Sequence, residues 1–549
     1  MVTQKWYNNA MKNIKNTSLN ATENTNEIEH KIEQLIQENE ELKARVRFFE
    51  EHFKLTQSRM FEPSSEKISS DQISFFNEAE KESAKDSAEP DLEEITYKRK
   101  KATTKSRKSY KELEEEEVLY TLPAHEQNCP CCDNALHEMK VIVRKELKII
   151  PPTAKVVLHK RQVYACRHCD SYHNEGSAGS IVVAPMPNPV LPGSMVSPSL
   201  LSTIMDMKYN KMMPLYRQEQ SFIDYGIDIS RQNMASWVIK GAEKWLTPLF
   251  HRMHHYLLKE SIIHADETVL NCLDEKDNKN NYMWLYATGE YSMRRIFLYD
   301  YQKSRANRHP SVFLKGFAGY LQTDGYTGYN KVEKVTRLGC LAHARRYYTD
   351  ALKALPKEAQ LSKSKANEAL RFFTKIYRFE ASYKGLSSDE RYHKRIEEVK
   401  PILEDYRQWL DEEVKKTLPK SKLGEAIKYS LNQWETLIIF LEDGRLSCDN
   451  NLAERAIKPF VLGRKNFLFA KSPKGATASG ICYSIIETAK ANGLIPYQYL
   501  NYLFEMLPNI DLDNHVDLDA CLPWSETLPE IVKRKIVDTK GENQSVIAS

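Results

Sequence analysis

Apolar positions near the start of the chain recur in alternating steps of four and three: Ile28, Ile32, Leu35, Leu42, Val46, Phe49 and Phe53, with Asn39 in the missing slot. The heptad places Ile32, Asn39, Val46 and Phe53 at a, and Ile28, Leu35, Leu42 and Phe49 at d. It predicts a coiled-coil dimerisation helix over residues 22–61. A lone polar a residue fixes two-stranded register, so the expectation is a parallel dimer; one amphipathic helix packed on its own protein fits the same short run.

Residues 62–117 lose this pattern and break into charge blocks: Lys98, Arg99, Lys100, Lys101, Lys105, Arg107 and Lys108, then Glu112 and residues 114–117. So few apolar anchors cannot offset ordering, and the stretch reads as a charged flexible linker whose basic block is either solvated or laid along phosphates. Short strand-like runs, including residues 155–164, surround cysteines in a module over 118–185, which the Pro-rich run 185–198 ends. Residues 199–258 read as helical. Within them a helix over 215–225, a turn at 226–229 and a second helix from Ser230 have helix-turn-helix proportions, with Ser230 as N-cap. Arg231, Gln232 and Asn233 open the second helix, where recognition helices present polar side chains to base edges; an ordinary helical hairpin has the same spacing.

From residue 260 the period changes. Strands are predicted over 261–270, 282–288, 295–301, 319–324 and 336–340, followed by a helix from His343. Lys/Glu-rich helices fill 350–445, helices resume from Asn451 to about residue 507, and an acidic C-terminal tail occupies 508–549. The fold class is multidomain α+β: an α/β domain in two parts, 259–349 and 446–507, split by an all-helical insertion.

At 549 residues the chain accommodates three or four folded units, and 41% apolar with 28% charged residues excludes a collagen or a wholly disordered protein. No apolar run approaches the roughly 18 residues of a membrane span and no signal core opens the chain, so no membrane partner and a cytoplasmic location are expected. Ten cysteines are too sparse for a disulfide scaffold. Cys129 and Cys132 with Cys166 and Cys169 form two CxxC pairs suited to a closed, structural zinc site. Cys131 is a spare competing thiol, and redox dithiols are the rival reading. Net charge is only +4, from 79 basic and 75 acidic residues, but the charge is segregated.

Three acids stand out by position. Asp266 lies in the strand over 261–270, Asp324 closes the strand over 319–324, and Glu454 sits on a short helix after Asp449, Asn450 and Asn451. Brought to one sheet edge they repel unless cations lie between them; two divalent ions about 4 Å apart satisfy such a cluster and serve in-line phosphoryl displacement. Oxygen ligands suit magnesium or manganese. By spacing alone each acid reads equally as a turn, cap or surface residue.

The fragments HADET (264–268), LQTDGYTGYN (321–330), GCLAHARRYY (339–348) and DNNLAERAIKPFVLGRKNFLFA (449–470) resemble the DDE transposases of the insertion-sequence-66 family. The zipper, both CxxC pairs, MPLYRQE (213–219) and CLPW (521–524) follow in the family's order. The resemblance implies Asp266, Asp324 and Glu454 as the catalytic triad on a ribonuclease-H-like fold, holding two magnesium (or manganese) ions. It also implies binding of terminal inverted repeats, nicking, joining of 3′ hydroxyl ends to a target duplex, nucleoid association, a homodimer or higher oligomer, and small accessory proteins. Leu341, Phe467 and Lys458 depart from the family's tryptophan, tryptophan and arginine, changes that touch packing more than chemistry. Glu267 and Asp449 are the local competitors for the triad, and strand geometry lets only one of Asp266 and Glu267 face the site.

Basic residues crowd the same motifs. Six lie between 451 and 480 against the single acid Glu454, and five between 331 and 348 against one. Arg464 and Lys465, then Arg345 and Arg346, are the candidate phosphate contacts, with solvated side chains or pairing to insertion acids as the alternative. His343 reads first as a structural histidine, with contact to the site as its rival. Two other functions remain: a nuclease with the same triad that cuts without joining, and a DNA-binding regulator with a silent catalytic domain. Retention of all three acids counts against the second.

Overall fold

The computed structural model describes residues 153–165, 181–275, 280–355 and 364–534. The expected coiled coil, the linker, the cysteines Cys129, Cys132, Cys166 and Cys169 and the end of the acidic tail lie outside the described residues. The chain enters through a short antiparallel ribbon, β1 (Val163–Ala165) against β2 (Ile181–Val183), with Val163 opposite Val183. Only the last residues of the strand expected over 155–164 pair. Val156, Val157 and Leu158 face solvent, and a ribbon exposed on both faces gains little from extension.

Four helices follow: α1 (Pro198–Met205), α2 (Leu215–Asp224), α3 (Arg231–Gly241) and α4 (Thr247–Leu257). Ser230 caps α3, its hydroxyl accepting the Asn233 N–H at 3.3 Å. Trp245, between α3 and α4, donates its indole N–H to the Val190 carbonyl at 2.7 Å and ties the Pro-rich run to the helices.

The sheet comes next. β3 (Ile262–Leu270), β4 (Asn281–Thr288) and β5 (Phe297–Gln302) form an antiparallel meander, and helix α5 (Arg308–Phe313) leads to β6 (Gly319–Gln322) and β7 (Val335–Leu338), which run parallel to β3. The order is β5-β4-β3-β6-β7. Trp284, Leu285 and Tyr286 of β4 are fully buried because this strand is covered on both faces. The outer edge of β5 would leave unpaired N–H groups; those of Phe297 and Tyr299 donate instead to Thr488 Oγ1 at 3.0 Å and Ser484 Oγ at 2.8 Å.

Helix α6 (Leu341–Ala354) leaves β7 and opens an excursion whose described residues are without strands: α7 (Lys365–Ser382), α8 (Ser388–Lys394), α9 (Lys400–Lys416), α10 (Lys422–Asn432) and α11 (Trp434–Ile438). Leu341, Ala344 and Tyr348 of α6 share a separate core with Phe373, Leu403, Tyr406 and Ile427 of this excursion. The chain returns through α12 (Asn451–Phe467), α13 (Pro473–Ala491), α14 (Pro496–Met506) and α15 (His515–Ala520). Buried positions run along α13 without a polar stripe, because it is sandwiched between β5 and the N-terminal helices. Gly480 permits this: a Cβ there would lie 2.7 Å from the Tyr299 carbonyl oxygen.

Residues 508–534 differ from the expected acidic tail. Leu518, Cys521, Leu522, Leu528 and Val532 enter the main core. Asp519 accepts Arg252 Nε and Nη2, each at 2.6 Å, and the Tyr256 hydroxyl at 2.9 Å. The acids mask apolar residues whose partners lie far away in sequence, which periodicity does not register.

Candidate functional site

In the parallel pair β3 and β6, His264 lies opposite Gln322. Asp266 stands two residues beyond His264 in β3, at the same parity, and leaves the sheet on the face carrying His264; β6 ends at Gln322, short of the strand expected over 319–324, so Asp324 lies in the loop just past its end, near enough for its charge to act on Asp266. On that face Gln322 Nε2 donates to the Ser447 carbonyl at 2.8 Å, and His264 Nδ1 lies 2.9 Å from Asn450 Oδ1. Asn450 also donates from Nδ2 to the Ala265 carbonyl at 2.9 Å and from its backbone to Cys340 Sγ at 3.1 Å. The start of α12 is thereby pinned beside Asp266, and Glu454 follows one helical turn later.

Glu267, next along β3, alternates with Asp266 and shares Arg305 with Asp324. Its register neighbours are Trp284 and, across β4, Asp300. Arg305 Nε donates to Glu267 Oε1 at 2.7 Å and the Tyr329 hydroxyl to Oε2 at 2.6 Å, leaving the side chain 2% exposed. Asp324 and Glu454 keep 24% and 26% exposure, so a ligand can reach them but not Glu267.

Burial holds the Asp266 carboxyl well above the usual carboxylate range, and the like charges of Glu267, Asp324 and Glu454 push it further. Asp324 has one oxygen fixed by the Tyr326 N–H at 2.9 Å and the other 3.9 Å from Arg305 Nη2. The Arg305 guanidinium lies 3.8 Å from the Tyr326 ring centre. Glu454 faces Arg346 Nη2 at 3.2 Å and His343 Nδ1 at 3.6 Å. Among the described residues, ligating atoms of Cys340, His343 and Glu454 all lie within 4.8 Å of one another. Three neighbouring carboxylates, with a buried imidazole nitrogen lacking a hydrogen bond beside Glu454, fit a divalent cation.

The basic candidates divide. Arg464 on α12 donates through Nη1 to the Val269 carbonyl and to Thr268 Oγ1, at the far end of the strand bearing Asp266, and Lys465 follows it. Arg346 reaches Glu454, while Arg345 beside it is exposed. Arg231, Gln232 and Asn233 are exposed on the first turn of α3, a helix that packs on α1 and α13; the Arg231 guanidinium lies 5.9 Å from the Tyr216 ring. Sequence reasoning missed Arg305, Tyr329 and Asn450. Asn450 alone carried a local signal, standing in the DNN run before α12.

Residues 193–478 match the Transposase IS66 family, residues 126–170 the zinc-finger binding domain of transposase IS66, and residues 484–524 the IS66 C-terminal element. The zinc-finger segment contains Cys129, Cys132, Cys166 and Cys169. Two similar proteins of Sinorhizobium fredii are Uncharacterized protein y4jD, 30% identical over 72% of this chain and 78% of its own length, and Uncharacterized protein y4hP, 29% identical over 75% of each. The solved Drosophila P element transposase strand transfer complex is 13% identical over 57% of this chain and 82% of its own, with a TM-score of 0.20. With the first match alone spanning more than half of its residues, the chain belongs to the IS66 family of transposases.

Proposed function

We propose that the protein is a DDE transposase that nicks DNA at the terminal inverted repeats of an insertion sequence and joins the 3′ ends to a target duplex. The reading is supported by the nearness of Asp266 on β3 to Asp324, just past the end of the adjacent parallel strand β6, and by Glu454 beside them after the pinned start of α12. The sheet order, an antiparallel meander continued by two parallel strands, supports a ribonuclease-H-like domain, and α7–α11 its helical insertion.

Asp266, Asp324 and Glu454 would hold two magnesium or manganese ions. Such ions, when bound, polarise a phosphodiester and lower the pKa of water. The residues' own part is to present oxygen ligands from one rigid face, while Arg305 and Arg346 balance their charge. In the first step water attacks phosphorus and the bond to the 3′ oxygen breaks, leaving a 5′ phosphate; one water proton ends on the departing 3′ oxygen and the other passes to solvent. In the second the freed 3′ hydroxyl attacks a target phosphodiester, the target's own bond from phosphorus to its 3′ oxygen breaks and that oxygen leaves as a hydroxyl with the proton, exchanging one such linkage for another without an external energy source. Arg464, Lys465 and Arg345 are proposed to contact phosphates. Arg231, Gln232 and Asn233 are proposed to read the repeats, with the four cysteines holding structural zinc and residues 22–61 pairing two subunits.

The test is Asp324→Asn on a duplex carrying the element's end. Loss of metal-dependent nicking with end binding intact is expected; retained nicking rejects the assignment. Transfer of the cut strand into a second duplex separates a transposase from a nuclease that only cuts.

A further inference from the structure

We propose that His343 supplies, through Nδ1, a nitrogen ligand to the divalent ion held by Glu454, giving this centre a preference for manganese over magnesium. The inference rests on the carboxylate reading above and adds a residue and a metal selectivity to it. His343 lies in the first turn of α6, and its Nδ1 is buried with no hydrogen-bond partner. Buried polar nitrogens are nearly always paired, so an orphan at a charged site indicates a missing partner. Glu454 Oε1 is 3.6 Å from it, beyond hydrogen-bond length.

That separation suits two ligands of one cation. Donors each about 2.2 Å from an ion, at octahedral to tetrahedral angles, lie about 3.1–3.6 Å from each other. Cys340 also lies within the cluster, but its sulfur accepts the Asn450 N–H at 3.1 Å, so the thiol is engaged in fixing the start of α12. The remaining donors are one imidazole nitrogen and one carboxylate. Magnesium takes oxygen ligands and retains water, whereas imidazole is a ligand for transition-metal ions, and manganese is the one among them that also suits carboxylates and water. Arg346 contacts both Glu454 oxygens but is itself 54% exposed, so it can yield to an entering cation.

The test uses the full-length, zinc-loaded protein titrated with Mn2+ and read by pulsed electron paramagnetic resonance, which detects a directly coordinated nitrogen without requiring activity. The wild type is expected to show nitrogen coupling from one imidazole. His343→Ala and the gentler His343→Gln should lose that coupling and bind Mn2+ about tenfold more weakly, with unchanged far-ultraviolet circular dichroism. Mn2+ bound to the wild type in an Asp324-dependent manner without nitrogen coupling, or bound by His343→Gln with wild-type affinity, overturns the role of His343 and leaves the carboxylate centre standing. A wild type that binds no Mn2+ overturns both.

Discussion

Asn450 joins His264 to the start of helix α12: Oδ1 lies 2.9 Å from His264 Nδ1, while Nδ2 donates to the neighbouring Ala265 carbonyl. With the amide nitrogen committed to Ala265, the proton of the first contact sits on His264 Nδ1. Asn450→Ala strands two buried polar groups, a loss of about 2–4 kcal/mol. Thermal unfolding should register it as a lower Tm. Nicking should fall further than end binding, because Glu454 depends on this anchor and DNA contacts elsewhere do not.

Asp266 and Glu267 are adjacent and should behave oppositely. Asp266→Asn removes a buried like charge, so it is expected to raise Tm in the absence of metal while abolishing nicking. Glu267→Gln weakens the bonds to Arg305 and Tyr329, should cost about 1–3 kcal/mol, and should retain nicking within about tenfold. Equal loss of activity in both variants would reverse their roles.

The Arg252 guanidinium holds the Asp519 carboxyl below the usual carboxylate range. A depressed folded pKa contributes stability that is present above the unfolded value, about 3.9, and lost as pH falls through the folded value. Asp519→Asn should therefore lower stability by about 1–2 kcal/mol at pH 7 for this partly exposed bidentate pair. Its unfolding curve should converge with the wild type's as pH falls through the folded value of Asp519.

Asp300 shifts the other way, because burial pushes its carboxyl up to about 6. In the folded state the charge is a burden that grows as pH rises from the unfolded value of about 3.9 towards 6. Asp300→Asn is expected to stabilise the protein by about 1–3 kcal/mol at pH 7.5 and to be neutral near pH 4. Melting curves at the two pH values check it.

Gly480 is a packing constraint. Gly480→Ala pushes a methyl against the Tyr299 carbonyl, a backbone atom that cannot rotate away, and should cost about 1–3 kcal/mol by separating α13 from β5. Chemical denaturation measures the loss.

The strands were legible in the chain because each is a short β-branched or aromatic run bounded by turns; β3 is predicted over 261–270 and found over Ile262–Leu270. Asp266 could be singled out as a strand residue, and alternation stated that Asp266 and Glu267 must diverge; Asp324, expected to close its strand, lies two residues past the end of β6. Which of them faces α12 depended on the register of β3 with β6, a relation between residues more than fifty positions apart. Arg305 was illegible for a related reason: it lies in a loop among other basic residues, and only folding sets it on Glu267. The core role of residues 518–532 was hidden by the acids around them.

Gln322 bears one more consequence. Its side-chain nitrogen lies 3.4 Å from the Gly339 carbonyl and 2.8 Å from that of Ser447, so the departure and return points of the helical excursion meet at one amide. For a chain whose two ends are already held together, each doubling of the intervening length costs only about 0.6 kcal/mol in closure entropy. Lineages can thus lengthen, trim or exchange the outer helices while the strands beneath keep their alignment, provided that the apolar side of α6 stays covered.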